Sequence, residues 1–379
     1  MKLPRFMLEE WLEGHRDSSI RSYLGGSTGP LWTVRELLQL GGAGSLEPLL
    51  DSNVVYAPSV GAQSLRRAIA EMQSVPIDHV LVFTGAAEAL AHIFAAVAEP
   101  GANVVIPFPC FPPHQWLPES LGLEVRLYKL RRENGFRIDP DEIVHLVDRH
   151  TKLILINSPH NPTGATISES GLRMLHDVAA RRGIQFVSDE VYHPIYHGPE
   201  TPSAACLPGA TVVGDLSKAF SLSGLRIGWI VEPDAGRRAN YENAREYFTI
   251  SNSPISEYLA EIAVRNRETI FARARDVATA NLQQLEHVLN EHSERVHWVR
   301  PQGGMIAFPW LVSGEESRSL CIAAAAEGVL VVPGDCFGFP DHLRIGFGVG
   351  QEWYPEAMQQ LSDVLARWAR RSVVGAPAS

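Results

Sequence analysis

Two stretches of this 379-residue chain carry side chains suited to chemistry on an amine or a carbonyl. The first is Asp215-Leu216-Ser217-Lys218-Ala219-Phe220, followed by Gly224, Arg226 and Gly228. A lysine that can shed its charge forms an imine with an aldehyde. Ser217 adds a hydroxyl and Arg226 a permanent bidentate cation, a pair suited to a phosphate. Taken alone, a surface loop with one Lys and one Arg has the same letters. The second stretch is Ser188-Asp189-Glu190-Val191-Tyr192, at the end of an apolar run. An aspartate at a strand end facing a cleft can keep a ring nitrogen protonated and so strengthen that ring as an electron sink. Tyr192 can then donate to a ring hydroxyl. The simpler alternative is an Asp that caps the next helix.

Two weaker elements accompany them. Asn157-Ser158-Pro159-His160-Asn161-Pro162-Thr163-Gly164 is a turn stiffened by two prolines, functional only if Asn161 is aimed at a ligand. Thr84-Gly85-Ala86-Ala87-Glu88 reads as a strand-to-helix junction, where free backbone N–H groups can cradle an anion.

The elements that must position these residues are legible as alternation. Short β-rich runs fall at 79–83, 103–106, 124–128, 153–157, 185–188, 211–214 and 227–231, with helix-period stretches such as 87–98 and 169–182 between them. Apolar strands separated by amphipathic helices predict an α/β fold with a mostly parallel central sheet in a large domain. Ligands of such sheets bind beyond the carboxyl ends of the strands. Gly85, Asn161, Asp189 and Lys218 all follow strands, which is the strongest fold-level argument. Beyond 231 the pattern is helix-rich to about 292. Strand-like 297–300 and 305–308, a helix at 318–327, a strand at 329–332 and a last helix at 354–370 then predict a smaller α+β domain, reached through a long linking helix. The division expected is 1–45 as an amino-terminal arm and part of the small domain, 46–275 as the large domain, and 276–379 as the small carboxyl-terminal domain. Phe6, Met7, Trp11 and Leu12 suit the inward face of a short helix, and 375–379 reads as a frayed end.

A formal charge of −10 without a Lys/Arg run gives no sign of a nucleic-acid partner. Cys110, Cys206, Cys321 and Cys336 are scattered without a CxxC pair, which argues against structural zinc or a disulfide framework and fits a cytoplasmic protein. Glu9, Glu10 and Glu13 interrupt the start, so neither a signal peptide nor a membrane span is expected there.

In this order and spacing, the Ser-Lys…Gly-x-Arg-x-Gly, Asn-Pro-x-Gly and Asp-x-x-Tyr elements resemble those of the fold-type I, class I/II aminotransferases, the aspartate aminotransferase superfamily. The resemblance runs from about Tyr56 to Gly346. It implies pyridoxal 5′-phosphate as cofactor, an α-amino acid and a 2-oxo acid as substrates, and a homodimer. It further implies that Lys218 is the Schiff-base lysine and proton carrier, that Asp189 pairs with the pyridine nitrogen, and that Tyr192 and Asn161 contact the ring hydroxyl. Ser217, Arg226 and the backbone at Gly85, Ala86 and Ala87 match the phosphate site. Phe111 matches the ring-stacking aromatic, although a core aromatic would look the same. Tyr56 matches a tyrosine that reaches the phosphate of the neighbouring subunit. Arg344 matches the arginine for the substrate α-carboxylate, its alternative being a solvated edge-strand residue; Gly26 and Asn161 accompany it as substrate contacts.

The likeness thins near the amino terminus. Residues 23–32 are glycine-rich but not in the common form, and His114 stands where many members carry a tyrosine. With Leu8-Glu9-Glu10-Trp11-Leu12 this is similar to capreomycidine-synthase-type enzymes, which makes a lyase, cyclase or oxidase of a specialised amino acid the alternative. A ligand-sensing regulator would need a helix-turn-helix segment, for which the 55 residues before Tyr56 offer no basic recognition helix. Trp32, Trp116 and Tyr23 are aromatic candidates for the substrate pocket.

Overall fold

The computed structural model describes residues 2–16, 19–350 and 352–374, with side chains of the last helix to 368. The frayed end expected at 375–379 lies outside these residues.

Seven strands form one sheet: β1 (Val80–Phe83), β2 (Asn103–Phe108), β3 (Glu124–Lys129), β4 (Thr151–Asn157), β5 (Gln185–Asp189), β6 (Thr211–Asp215) and β7 (Gly228–Val231). Their order is β1-β7-β6-β5-β4-β2-β3. The pairings from β6 across to β3 are parallel, and β7 runs antiparallel to both of its neighbours. Each strand predicted from an apolar run is present, with ends shifted by one or two residues. The Leu-Ile-Leu-Ile core of β4 and all of β1 are buried because helices cover both faces. The strand order reverses at β2, which opens a crevice at the carboxyl edge where β2, β4 and β5 end.

One backbone contact ties the sheet to that crevice. Gly85 has φ +84°, a left-handed value that favours glycine, and it turns β1 directly into the helix Ala86–Val97. Gly228, the first residue of β7, lies against this turn. A Cβ on Gly228 would stand 2.6 Å from the Gly85 carbonyl carbon and 2.7 Å from the Ala86 nitrogen. The Gly-x-Arg-x-Gly spacing therefore brings the loop carrying Arg226 against a helix amino terminus.

The remaining elements form smaller layers. The helix Arg267–Glu291 buries Ile270, Ala274, Ala278, Leu282, Leu285 and Leu289 along one face; the division expected at 275/276 falls inside it. Leu343–Gly346 lies between Ile306–Ala307 and Val332–Pro333 in an antiparallel triplet. Ser22–Tyr23 pairs with Val329–Leu330, so the amino-terminal segment is bound to elements more than 300 residues later. The strand expected at 297–300 shrinks to Val296–His297, paired with Trp310–Leu311. The first helix, Met7–Glu13, corrects one expectation: Leu8 and Trp11 face inward, while Met7 is 41% exposed. No helix among the described residues is long and apolar enough to cross a membrane.

Gly228→Ala should push the strand and the turn apart. Overpacking against backbone typically costs about 1–3 kcal/mol, so a lower midpoint in chemical denaturation is expected. An unchanged midpoint would show that the junction yields without cost.

Candidate active site

Lys218 stands in a tight loop after β6. Leu216 N–H donates to the Ile227 carbonyl, Leu222 N–H to the Leu216 carbonyl, and Ser217 N–H to Asp215 Oδ1 at 2.9 Å. These bonds hold the lysine stem so that its amine enters the crevice, where Nζ donates to Ser27 Oγ at 2.8 Å. Burial pushes the Lys218 amine down to about 8; Asp215 opposes this, and the positive charges of Arg344 and Arg226 add to it. Asp215 is itself buried, and its carboxyl is raised by that burial.

Asp189 closes the opposite wall at the end of β5, 3% exposed. Its Oδ2 meets His114 Nε2 at 2.8 Å, and its Oδ1 accepts the Val191 N–H at 3.2 Å. The carboxylate thus makes a cap-like bond in a turn and also faces the cleft. The His114 contact was missed from sequence, where that residue registered only as a departure from tyrosine. The available signal was spacing: His114 lies three residues beyond Phe111 in a helix, Pro112–Ser120, started by two prolines, so both side chains lie toward one side. Phe111 and His114 stack edge-to-face at 5.9 Å. The Tyr192 hydroxyl is buried, and burial pushes it up to about 12, with Arg344 and Ser27 opposing.

Arg344 is 2% exposed. Nη1 donates to Asn161 Oδ1 at 3.2 Å and Nη2 to the Gly25 carbonyl at 2.9 Å, while Nε has no partner. No carboxylate among the described residues pairs with it, and burial lowers its pKa. The glycine whose carbonyl it engages is Gly25 rather than Gly26, whose own carbonyl packs against Gly346. The solvated edge-strand alternative for Arg344 is excluded by its burial.

Arg226 caps the third wall. Its guanidinium reaches the Ser223 carbonyl at 3.0 Å and, at longer range, Ser217 Oγ at 3.5 Å and the Thr84 carbonyl at 3.4 Å. It has no carboxylate partner among the described residues. Beside it the helix Ala86–Val97 begins without a side-chain cap, leaving the N–H groups of Ala86 and Ala87 for an anion. A Cβ on Gly85 would stand 2.5 Å from Arg226 Nη2 and fill this cradle. The resulting cleft, about 190 Å³, is lined by Ala86, Ala87, Phe111, Asn161, Asp189, Tyr192, Ser217, Lys218 and Arg226.

Tyr56, matched to a tyrosine that serves the neighbouring subunit, is 77% exposed and lies outside this chain's own cleft. Of the aromatic candidates, Trp32 lies under Arg273 at 4.4 Å and Trp116 lines a separate cleft with Phe108 and Phe337. Neither borders Lys218, and Tyr23 lies beside Gly26.

The groups fit pyridoxal 5′-phosphate: a buried amine of lowered pKa, an anion cradle with an arginine unpaired among the described residues, and a buried phenol lining the same cleft as a buried aspartate. A cleft of this kind at the carboxyl edge of a mostly parallel sheet is that of a pyridoxal-phosphate-dependent enzyme. The chain belongs to the class I and II aminotransferases, whose family profile matches residues 49–361. It is 31% identical over 376 residues to capreomycidine synthase of Streptomyces vinaceus, covering 97% of this chain and 95% of that protein. It is 28% identical over 338 residues to arginine–pyruvate transaminase AruH of Pseudomonas aeruginosa, covering 84% of each. The solved structure of the PLP-dependent cyclase OrfR superposes with a TM-score of 0.89 at 30% identity, covering 98% of both chains.

In the cofactor-free enzyme, labelling of Lys218 by an amine-acylating reagent should rise with pH and level off above about 8, because only the neutral amine reacts. An ordinary lysine keeps gaining reactivity to beyond about pH 10. Peptide mapping across a pH series measures this; a midpoint near 10 would contradict the burial argument.

Proposed function

We propose that this enzyme is an aminotransferase of an α-amino acid and a 2-oxo acid, working in the cytoplasm as a homodimer. The observation that carries the reading is Arg344, a guanidinium 2% exposed and without a carboxylate partner, beside the cleft that holds Lys218. A buried cation left uncompensated is costly, and an incoming α-carboxylate would satisfy it bidentately. In this reading residues 46–275 form the cofactor-binding domain, and 1–45 with 276–379 form the smaller one.

Bound pyridoxal phosphate supplies an aldehyde for the substrate amine and a ring that spreads the charge left when Cα loses its proton. The chain's own groups divide the remaining work. Lys218, held neutral part of the time by burial, takes the Cα proton and returns it. Asp189, fixed by His114, would keep the ring nitrogen protonated. Tyr192 and Asn161 would meet the ring hydroxyl, and Phe111 would cover the ring. Ser217, Arg226 and the backbone of Gly85, Ala86 and Ala87 would hold the phosphate, with Tyr56 serving the same group across the dimer. Arg344, Asn161 and the Gly25–Gly26 backbone orient the substrate so that its Cα–H faces Lys218.

A second reading, a lyase or cyclase of a specialised amino acid, is favoured by the 31% identity to a capreomycidine synthase and the 30% identity to a PLP-dependent cyclase. Lys218 would take the same proton, and the courses diverge afterwards.

Single-turnover assays of the loaded enzyme across acidic, neutral, aromatic and basic amino acids separate the two. Aminotransfer yields one equivalent of keto acid per site. Loss of water or ammonia, or a cyclic product without keto acid, supports the second reading. Lys218→Ala should lower turnover at least about a thousandfold in either case, and a variant that turns over normally would remove both.

A further inference from the structure

The glycine-rich stretch near the amino terminus puts a hydroxyl on the lysine. Ser27 Oγ accepts a hydrogen bond from Lys218 Nζ at 2.8 Å, across 191 residues of chain. Among the described residues it is the amine's one hydrogen-bond partner.

Backbone packing fixes where this hydroxyl stands. Residues 25–29 are wedged between the strand Leu343–Gly346, which carries Arg344, and the loop that carries Lys218. On the first side, Gly346 N–H donates to the Leu24 carbonyl at 2.6 Å, and Arg344 Nη2 to the Gly25 carbonyl at 2.9 Å. A Cβ on Gly346 would overlap the Gly26 carbonyl, and one on Gly348 the Thr28 carbonyl. On the second side, a Cβ on Gly29 would overlap the Ser221 hydroxyl, three residues beyond Lys218. Close approaches on both sides of Ser27 leave its backbone little room to shift.

An amine that removes a proton must direct its lone pair at that hydrogen. Unheld, it turns freely about its last carbon–nitrogen bond. One N–H kept on Ser27 Oγ stops this rotation and gives the lone pair a fixed direction, which lowers the cost of reaching the reactive geometry. Ser27 is also close enough to Tyr192 to oppose the upward push that burial gives its hydroxyl. The serine therefore reaches both the base and a phenol lining the cofactor cleft.

Resting on the reading of Lys218 as the base, we propose that Ser27 is a positioning residue for proton abstraction. Its hydroxyl holds one N–H of the Lys218 amine so that the lone pair meets the substrate Cα–H. The lone pair takes the proton, the Cα–H bond breaks, and its electron pair stays on the substrate. The role is the same whether aminotransfer or elimination follows. The segment that holds Arg344 through Gly25 is also the one that aims the base, so carboxylate grip and proton abstraction share a support.

The first readout needs no substrate. In the cofactor-free enzyme, Ser27→Ala should lower the pH midpoint of Lys218 acylation by about one unit, because an acceptor bonded to an ammonium favours the charged form. The second uses the loaded enzyme and the amino acid that reacts fastest in the single-turnover panel. Ser27→Ala should slow exchange of its Cα hydrogen for solvent deuterium at least about tenfold, the scale of one lost hydrogen bond to a charged group, with KM hardly changed. The two effects oppose each other: more of the amine is neutral in the variant, so slower exchange reports lost aim. Ser27→Thr keeps the hydroxyl and should restore both readouts. A parental exchange rate or an unmoved midpoint in Ser27→Ala, or a threonine variant as slow as the alanine one, overturns the assignment of Ser27 and leaves Lys218 as the base. If Lys218→Ala still exchanges the Cα hydrogen at the parental rate, the base reading fails first and takes this one with it.

Discussion

The site depends on one close approach, that of Gly228 to the Gly85–Ala86 peptide. The first strand of the sheet in sequence pairs with the last one, and their loops meet where no side chain fits between them. That contact delivers Arg226 to an uncapped helix amino terminus, and it sets the loop bearing Lys218 over the carboxyl ends of β4 and β5. A β-carbon at either glycine would separate the phosphate cradle from the lysine by the width of an atom. The geometry of the chemistry is therefore decided by backbone packing before any catalytic side chain contributes.

Charge placement follows from that frame. Lys218 and Arg226 line one crevice and Arg344 lies beside it, without a carboxylate pairing any of them among the described residues, while Asp189 is engaged by His114 and Asp215 by the backbone of Ser217. A site with surplus positive charge and low solvent access favours anionic ligands and a neutral amine at once. Those are the two conditions that proton abstraction by a lysine requires. The desolvation that would destabilise an isolated cation here sharpens affinity for a phosphate and a carboxylate.

Much of this was legible in the amino-acid order because the central strands are apolar runs and the helix Glu169–Arg182 carries a serine cap and a glycine stop. Lys218 and Asp189 could be singled out because each follows such a run, and Arg226 because it stands in a Gly-x-Arg-x-Gly spacing just before one. Less was legible where partners are remote. Ser27 meets Lys218 across 191 residues and His114 meets Asp189 across 75, and no local pattern announces either. The helix Pro112–Ser120 opens on two prolines, which are at home in a first helical turn. Met7 was turned the wrong way because hydrophobicity alone selects it, whereas the helix register points Leu8 inward.

The spacing of the binding groups along the chain has a consequence for biogenesis. The cradle joins Thr84 to Arg226 over 142 residues, and the guanidinium of Arg344 reaches back 319 residues to Gly25. During synthesis, a polypeptide that has emerged only to β6 holds the Thr84 side of the cradle without Arg226, and one that stops before residue 344 lacks the clamp. Contacts of such sequence separation form late and slowly. Coenzyme capture must therefore wait at least for Arg226, and a grip on the substrate carboxylate for Arg344.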